Sequence, residues 1–194
     1  MLLINIMPKA LIVIVTGLPC SGKTDMAEKL SAKHNLPLLT KDDIKESLFD
    51  SLGHSDREWS RKLSGATYHI LYRQMHRLAI SKISFIVESN FNPSEATKRF
   101  IDLQQVSGCN ILQIRCHAKG EVLVERFRKR MYFGRHPGHA DQQLFQEIET
   151  QLMHGKIDAL NLKSMKLDID TTNFSTIDYG SLSHAVETLL KEAT

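Results

Sequence analysis

The segment that most restricts this chain is Gly17-Leu18-Pro19-Cys20-Ser21-Gly22-Lys23-Thr24, which follows directly on the apolar run of residues 10–16, ALIVIVT. The octet fits the spacing G-x-x-x-x-G-K-[ST]. An apolar run with no polar alternation predicts a strand buried on both faces, as in a parallel sheet. Residues 23–34 predict a helix after the glycine turn. In that context the glycines let the backbone curl so that its N–H groups point inward at phosphate oxygens, and the helix N-terminus adds positive potential. Lys23 can reach the β- and γ-phosphates, and the Thr24 hydroxyl can ligate Mg²⁺. All eight residues are therefore candidate nucleotide contacts. Cys20 fills a free position of the loop and reads as tolerated there, not as a nucleophile. The loop implies a nucleoside triphosphate and leaves open what is done with it.

Short apolar runs alternate with helical patterns along the rest of the chain. Strands are expected at 37–39, 84–87, 110–115 and 165–170. Helices are expected near 42–51, 57–82, 93–107, 121–132, 141–154 and 180–193, with a loop at 133–140. Pro93 suits the first turn of its helix and Gly108 ends it. This alternation predicts a three-layer α/β/α sandwich with a mostly parallel five-stranded sheet. No repeat or linker divides the sequence, so residues 1–194 are read as one domain. Ligands of such a sheet sit beyond the carboxyl ends of its strands, which draws attention to the loops after Gly17, Thr40, Glu88, Cys116 and Asp170.

After the second strand comes Thr40-Lys41-Asp42-Asp43-Ile44-Lys45. A carboxylate there could take a proton from a hydroxyl attacking the γ-phosphate. Equally, Asp42 or Asp43 could cap the following helix. After the third strand comes Glu88-Ser89-Asn90-Phe91-Asn92-Pro93. Glu88 stands where an acidic residue can hold Mg²⁺, while Ser89 or Asn92 can cap the next helix. In the helix at 121–132, Leu123, Phe127 and Met131 share one face, and Arg126 and Arg130, four residues apart, share another. With 133–140 the segment of about 126–141 reads as a small helical lid, Arg126, Arg130 and Arg135 neutralising charge during phosphoryl transfer. A solvated basic face is the plainer reading of the same arginines. His136 and His139 have no third ligand nearby in sequence and do not argue for a metal.

Taken together these motifs resemble small P-loop kinases, the group around polynucleotide 5′-kinase, chloramphenicol phosphotransferase and zeta-toxin-type enzymes. The polynucleotide kinase pattern is the most similar: a G-x-P-x-S-G-K-[ST] loop, an acidic pair after strand two, a third strand ending acidic-[ST]-N-x-N-P, and a later R-x-x-x-R helix. This chain has Gly17 to Thr24, Asp42-Asp43, Glu88 to Pro93, and Arg126 with Arg130. The likeness spans about residues 10–135. It implies ATP and Mg²⁺ as cofactors, Asp42 as general base, Lys45 as a contact to acceptor or phosphate, Arg126 and Arg130 at the triphosphate, and the loop from Asp170 to Asn173, Thr171 included, near the adenine. With Asp42, Asp43, Lys45 and Asn90 form the candidate acceptor contacts. The family commonly has Asp where this chain has Glu88 and often Arg where it has Lys45.

The expected activity is transfer of the γ-phosphoryl group of ATP to a hydroxyl of a small molecule, a nucleotide or a polynucleotide 5′ end. The alternative is a nucleotide-binding regulatory module or an NTP hydrolase with no acceptor. A GTPase switch is disfavoured, since N-K-x-D is absent and strand three carries no D-x-x-G. Leu63-Ser64-Gly65-Ala66 is only faintly like a transporter-ATPase signature and falls inside a predicted helix. Acceptor contacts are expected from residues 45–75, among them Arg57, Trp59, Arg61, Tyr68 and Tyr72.

Composition narrows the partners. Lys plus Arg number 25 against 22 for Asp plus Glu, a net charge of +3, too small to argue for or against nucleic acid. Residues 115–139 alone hold seven Lys or Arg against Glu121 and Glu125, so the basic excess is local to the expected lid. A nucleic-acid end remains a possible acceptor, and no protein partner is evident. Cys20, Cys109 and Cys116 lack CxxC spacing, which argues against structural zinc and fits a reducing compartment. Residues 1–7 are apolar without leading basic residues and are interrupted by Pro8-Lys9, so neither a signal peptide nor a membrane span is expected. A cytoplasmic location follows as the expectation.

Overall fold

The computed structural model describes residues 9–193; the apolar start at residues 1–8 lies outside them. Five strands, β1 Leu11–Gly17, β2 Leu38–Thr40, β3 Phe85–Glu88, β4 Asn110–His117 and β5 Met165–Asp170, form one sheet in the order β2-β3-β1-β4-β5. Every pairing is parallel, so the mostly parallel sheet of the sequence reading is wholly parallel. Among the described residues seven helices connect and cover it: α1 Lys23–His34, α2 Lys41–Leu52, α3 Arg57–Ile80, α4 Pro93–Ser107, α5 Gly120–Phe133, α6 Asp141–Met153 and α7 Tyr179–Ala193. Short 3-10 turns at Pro137–His139 and Phe174–Thr176 complete the order. Among the described residues, no helix is long and apolar enough to cross a membrane.

β1 shows why its sequence is apolar throughout. Successive side chains of a strand point to opposite faces. Ala10, Ile12 and Ile14 pack with Phe85 and Val87 of β3 against Leu71 and Met75 of α3 and Phe100 and Leu103 of α4. Leu11, Val13 and Val15 pack with Ile86, Leu112 and Ile114 against Met26 and Leu30 of α1 and Val186 of α7. Both faces are dry, and helices lie on both. A third cluster, Leu18, Leu123, Phe127 and Leu152, lies outside the sheet and joins the phosphate loop to α5 and α6.

The start of α2 corrects the sequence reading. Neither Asp42 nor Asp43 is its cap. The Thr40 hydroxyl accepts from the Asp43 amide at 3.1 Å, so the helix begins one residue earlier than expected and Asp42 is released from capping. At α4 the cap is Asn92, which accepts from the Ser94 amide at 3.1 Å, not Ser89. The stretch 133–140 is not wholly a loop, since it contains the turn Pro137–His139.

Candidate active site

The phosphate loop is held by its own sequence. Gly17, at the end of β1, has no room for a side chain against the Cys116 carbonyl and the Ser21 hydroxyl. Cys20 and Gly22 take left-handed backbone angles, φ 65° and 76°, which curl the chain into α1. Burial raises the Cys20 thiol above its ordinary value, partly offset by Arg130 and Lys23, so it stays a thiol. The Ser21 hydroxyl is buried and, among the described residues, has no hydrogen-bond partner. A buried hydroxyl left unpaired is costly, and on a loop of this form it is a free donor at the place where a phosphate oxygen would sit.

Lys23 and Thr24, the first two residues of α1, both face Glu88 at the end of β3. Lys23 Nζ lies 3.5 Å from Glu88 Oε1, and the Thr24 hydroxyl donates to Glu88 Oε2 at 3.4 Å. Burial raises the Glu88 carboxyl, against the pull of Lys23. A hydroxyl and a carboxylate side by side at a phosphate loop are hard oxygen donors of the kind Mg²⁺ takes alongside substrate phosphates. Among the described residues no cluster of three or more His, Cys, Asp or Glu could hold a metal alone.

Across from Lys23 opens a cavity of about 200 Å³ lined by Pro19, Lys41, Asp42, Lys45, Arg57, Ser64, Tyr68, Glu88, Ser89, Asn90, Arg130, Arg135 and His139. Asp42 pairs with Lys41 at 3.2 Å and with Arg135. Burial alone would raise its carboxyl, but Lys41, Arg135, Lys23 and His139 hold it well below the usual carboxylate range. It is a carboxylate at any physiological pH. Lys45 is buried beside it, donating to Ser60 Oγ at 2.9 Å, with Nζ 5.2 Å from the Phe49 ring centre. Burial, reinforced by Lys41, brings its amine down to about 7.

The segment after α5 lies over this cavity and is tied down at several points. Arg135 also faces Glu46 and Asp141, each at 3.8 Å. His139 meets Glu46 at 2.7 Å, and its ring packs edge-on against Phe49. Arg57 of α3 grips Glu147 of α6 with Nη2 at 2.9 Å, and Arg61 joins at 2.8 Å.

Sequence and structure agree on much of this set and divide on the rest. Lys23, Asp42, Lys45, Glu88, Asn90 and Arg130 meet around one cavity. Asp43 does not line it; its amide serves the Thr40 cap. Arg126 and Arg130 separate. Arg130 faces the cavity, paired with Asp141 at 3.0 Å, whereas Arg126 turns to the loop after β5, donating to the Thr171 and Thr172 carbonyls at 2.8 and 3.0 Å. Thr171 is fully buried, and its hydroxyl is within 2.9 Å of both the Ser21 and His117 carbonyls, so it braces the phosphate loop from behind. Of the expected acceptor contacts, Arg57 and Tyr68 reach the cavity. Trp59 instead donates to the Gly53 carbonyl at 2.9 Å, Arg61 holds α6, and Tyr72 lies against Phe91 and Phe100. Ser64 falls within the expected range 45–75 without having been singled out, and Lys41 and His139 were not expected there. Lys41, next to Asp42, carried the only local signal.

Compared with known proteins, residues 12–153 match the model of the AAA domain family. No curated protein sequence matches the chain. Among solved structures it is similar to a "putative kinase" from Chloroflexus aurantiacus J-10-fl, 39% identical, with a TM-score of 0.84, covering 94% of this chain and 99% of that one. An APS kinase from Mycobacterium tuberculosis, solved with AMPPNP and APS, is 16% identical with a TM-score of 0.56 over 95% of this chain and 99% of that one. A sugar kinase from Janibacter sp. HTCC2649 is 16% identical with a TM-score of 0.55 over 95% of both. At that identity the last two share the fold.

Proposed function

This chain belongs to the AAA domain family, and from that premise we propose that it is an ATP-dependent kinase transferring the γ-phosphoryl group to a hydroxyl. The likeness to the 39% identical protein described as a putative kinase supports the reading. The observation that carries it is the Asp42 carboxylate facing the phosphate loop across a walled cavity of about 200 Å³. A hydrolase needs room for a water only, whereas this cavity is lined on its acceptor side by Lys45, Tyr68 and Asn90.

In this reading residues 1–194 act as one domain, with 126–141 as its lid. The loop N–H groups, Lys23 and Ser21 hold the β- and γ-phosphates. Thr24 and Glu88 would hold Mg²⁺, which when bound neutralises charge on the phosphate oxygens. The acceptor oxygen attacks the γ-phosphorus, the bond to the oxygen of the departing ADP breaks, and the acceptor proton passes to Asp42. Arg130 and Arg135 offset charge gathering on the transferred group. Lys45 and Asn90 position the acceptor, with Asp43 outside the cavity. The acceptor is a small molecule, a nucleotide or a polynucleotide 5′ end, as in the polynucleotide 5′-kinase group the motifs resemble.

The test is transfer from γ-labelled ATP across 5′-hydroxyl oligonucleotides and a panel of hydroxyl metabolites. Lys23→Ala should abolish transfer. Asp42→Asn should lower it about 10²–10⁴-fold while ATP binding persists. Unchanged transfer by Asp42→Asn would overturn the base assignment, and ATP binding with no transfer to any acceptor would overturn the kinase reading.

A further inference from the structure

The sheet order divides the surroundings of the phosphate loop into two sides. β3 and β2 lie to one side of β1, and β4 and β5 to the other. The proposed reacting groups, Asp42 after β2 and Glu88 at the end of β3, lie on the first side. A triphosphate in the loop with its outer phosphate toward them therefore directs its nucleoside toward β4 and β5. There the chain presents Arg126 from α5 and Phe174 from the turn after β5. Neither lines the cavity of Asp42.

The Arg126 guanidinium lies over the face of the Phe174 ring. The Arg126 guanidinium carbon lies 4.1 Å from the centre of the Phe174 ring. The ring edge rests on the phosphate loop at Gly22, where a Cβ would come within 2.5 Å of it. Arg126 does not depend on that ring for its position. Its guanidinium donates to the Thr171 and Thr172 carbonyls and, at 3.5 Å, to that of Cys20. These bonds lie in the guanidinium plane and leave its face to whatever planar group covers it. Phe174 is 45% exposed and sits on a turn of three residues, so it is the less firmly held partner.

Resting on the kinase reading, we infer that Phe174 is a displaceable plug over the base-binding face of Arg126. The aromatic base of a nucleoside triphosphate, seated through its phosphates in the loop, takes the place of the ring. Stacking of a base on the guanidinium replaces its contact with the phenyl group, and the Phe174–Thr176 turn swings outward to admit it.

Binding of ATP and of inorganic tripolyphosphate, measured by calorimetry on the full chain, tests this. Tripolyphosphate has the phosphates but no base. Phe174→Ala should tighten ATP by about two- to fivefold, the equivalent of one exposed cation–π contact, and leave tripolyphosphate unchanged. Weaker ATP binding would overturn the plug and make Phe174 a wall of the base site. An equal change for both ligands, or none for either, would also overturn it. As a second reading, the indole emission of Phe174→Trp, above that of Trp59, should shift to longer wavelength with ATP and stay in place with tripolyphosphate; no shift with ATP counts against the plug. Wild-type protein that binds tripolyphosphate but not ATP defeats the plug alone, and failure to bind either defeats the nucleotide reading itself.

Discussion

Lys45 concentrates the conflict between burial and charge at the residue scale. Its amine sits beside the carboxylate of Asp42, yet burial and Lys41 bring it down to about 7. The fold therefore binds this proton less firmly than the unfolded chain, whose lysine titrates at the ordinary 10.5. Stability contributed by the neutral amine grows as pH rises from about 7 toward 10.5 and is absent below that window. Function has the opposite sign. An anionic acceptor group meeting Lys45 needs the ammonium form, so acceptor KM should climb as pH rises above about 7, with kcat changing less. Lys45→Met should raise KM at pH 6 and abolish the climb, and initial rates between pH 6 and 9 check both. Sequence showed Lys45 as a charge near an acidic pair but could not show its burial, which depends on Ser60 and Phe49 closing around it. The same holds for Arg126 and Arg130. Spacing by four places them on one helical face, but only the packed loop after β5 decides that one turns away from the cavity. Glu88 and Lys23 were legible because strand end and loop fix their places through the backbone.

Elements were read more fully than side chains, because hydrophobic period and glycine position act locally. β1 announced itself by having no polar face, and α4 by Pro93 at its start and Gly108 at its end. The turn Pro137–His139 gave no such signal; it exists by packing. Its Gly138 lies flat on the buried Phe49 of α2, and a Cβ there would fall 2.6 Å from ring carbons. Phe49 is 1% exposed and has no space to yield, so a side chain at Gly138 must lift the turn. Arg135 and His139, on either side of it, would be drawn from Asp42 and Glu46. Gly138→Ala should therefore cost about 1–3 kcal/mol, in the range of overpacked sites, and lower the melting temperature by roughly 2–10 °C. Phosphoryl transfer should fall more than ATP affinity, since the phosphate loop does not touch this turn. A melting scan with paired binding and turnover measurements separates the two effects.

At the scale of the whole molecule, the sheet and the cover over its site are built from different interactions. The central strands of the sheet are apolar on both faces. The segment from α5 to α6 is joined to α2 and α3 by ion pairs, Arg135 with Asp42 and Arg57 and Arg61 with Glu147, and by the hydrogen bond between His139 and Glu46. No sequence pattern links Arg57 with Glu147, ninety residues apart, which is why the fold was legible and this clasp was not. The clasp should respond to acid before the sheet does. Burial first, then Arg135, lower the His139 imidazole to about 3 from its ordinary 6.5, so in the fold it stays neutral and donates to Glu46. The unfolded chain takes up that proton below about 6.5, and the folded chain does not until about 3. Stability linked to His139 is thus fully present above 6.5 and declines as pH falls toward 3. Glu46, raised by burial, works in the reverse direction and blunts the decline, so the wild-type curve alone does not isolate the histidine. His139→Gln keeps an N–H for Glu46 and cannot be protonated. Urea unfolding of both proteins at pH 7.5 and pH 5 should show wild type losing more stability than the variant, by about 1–2 kcal/mol for a shift spanning this interval. Equal losses would mean that His139 is not held neutral by the fold, and that the ions alone set the acid response of the cover.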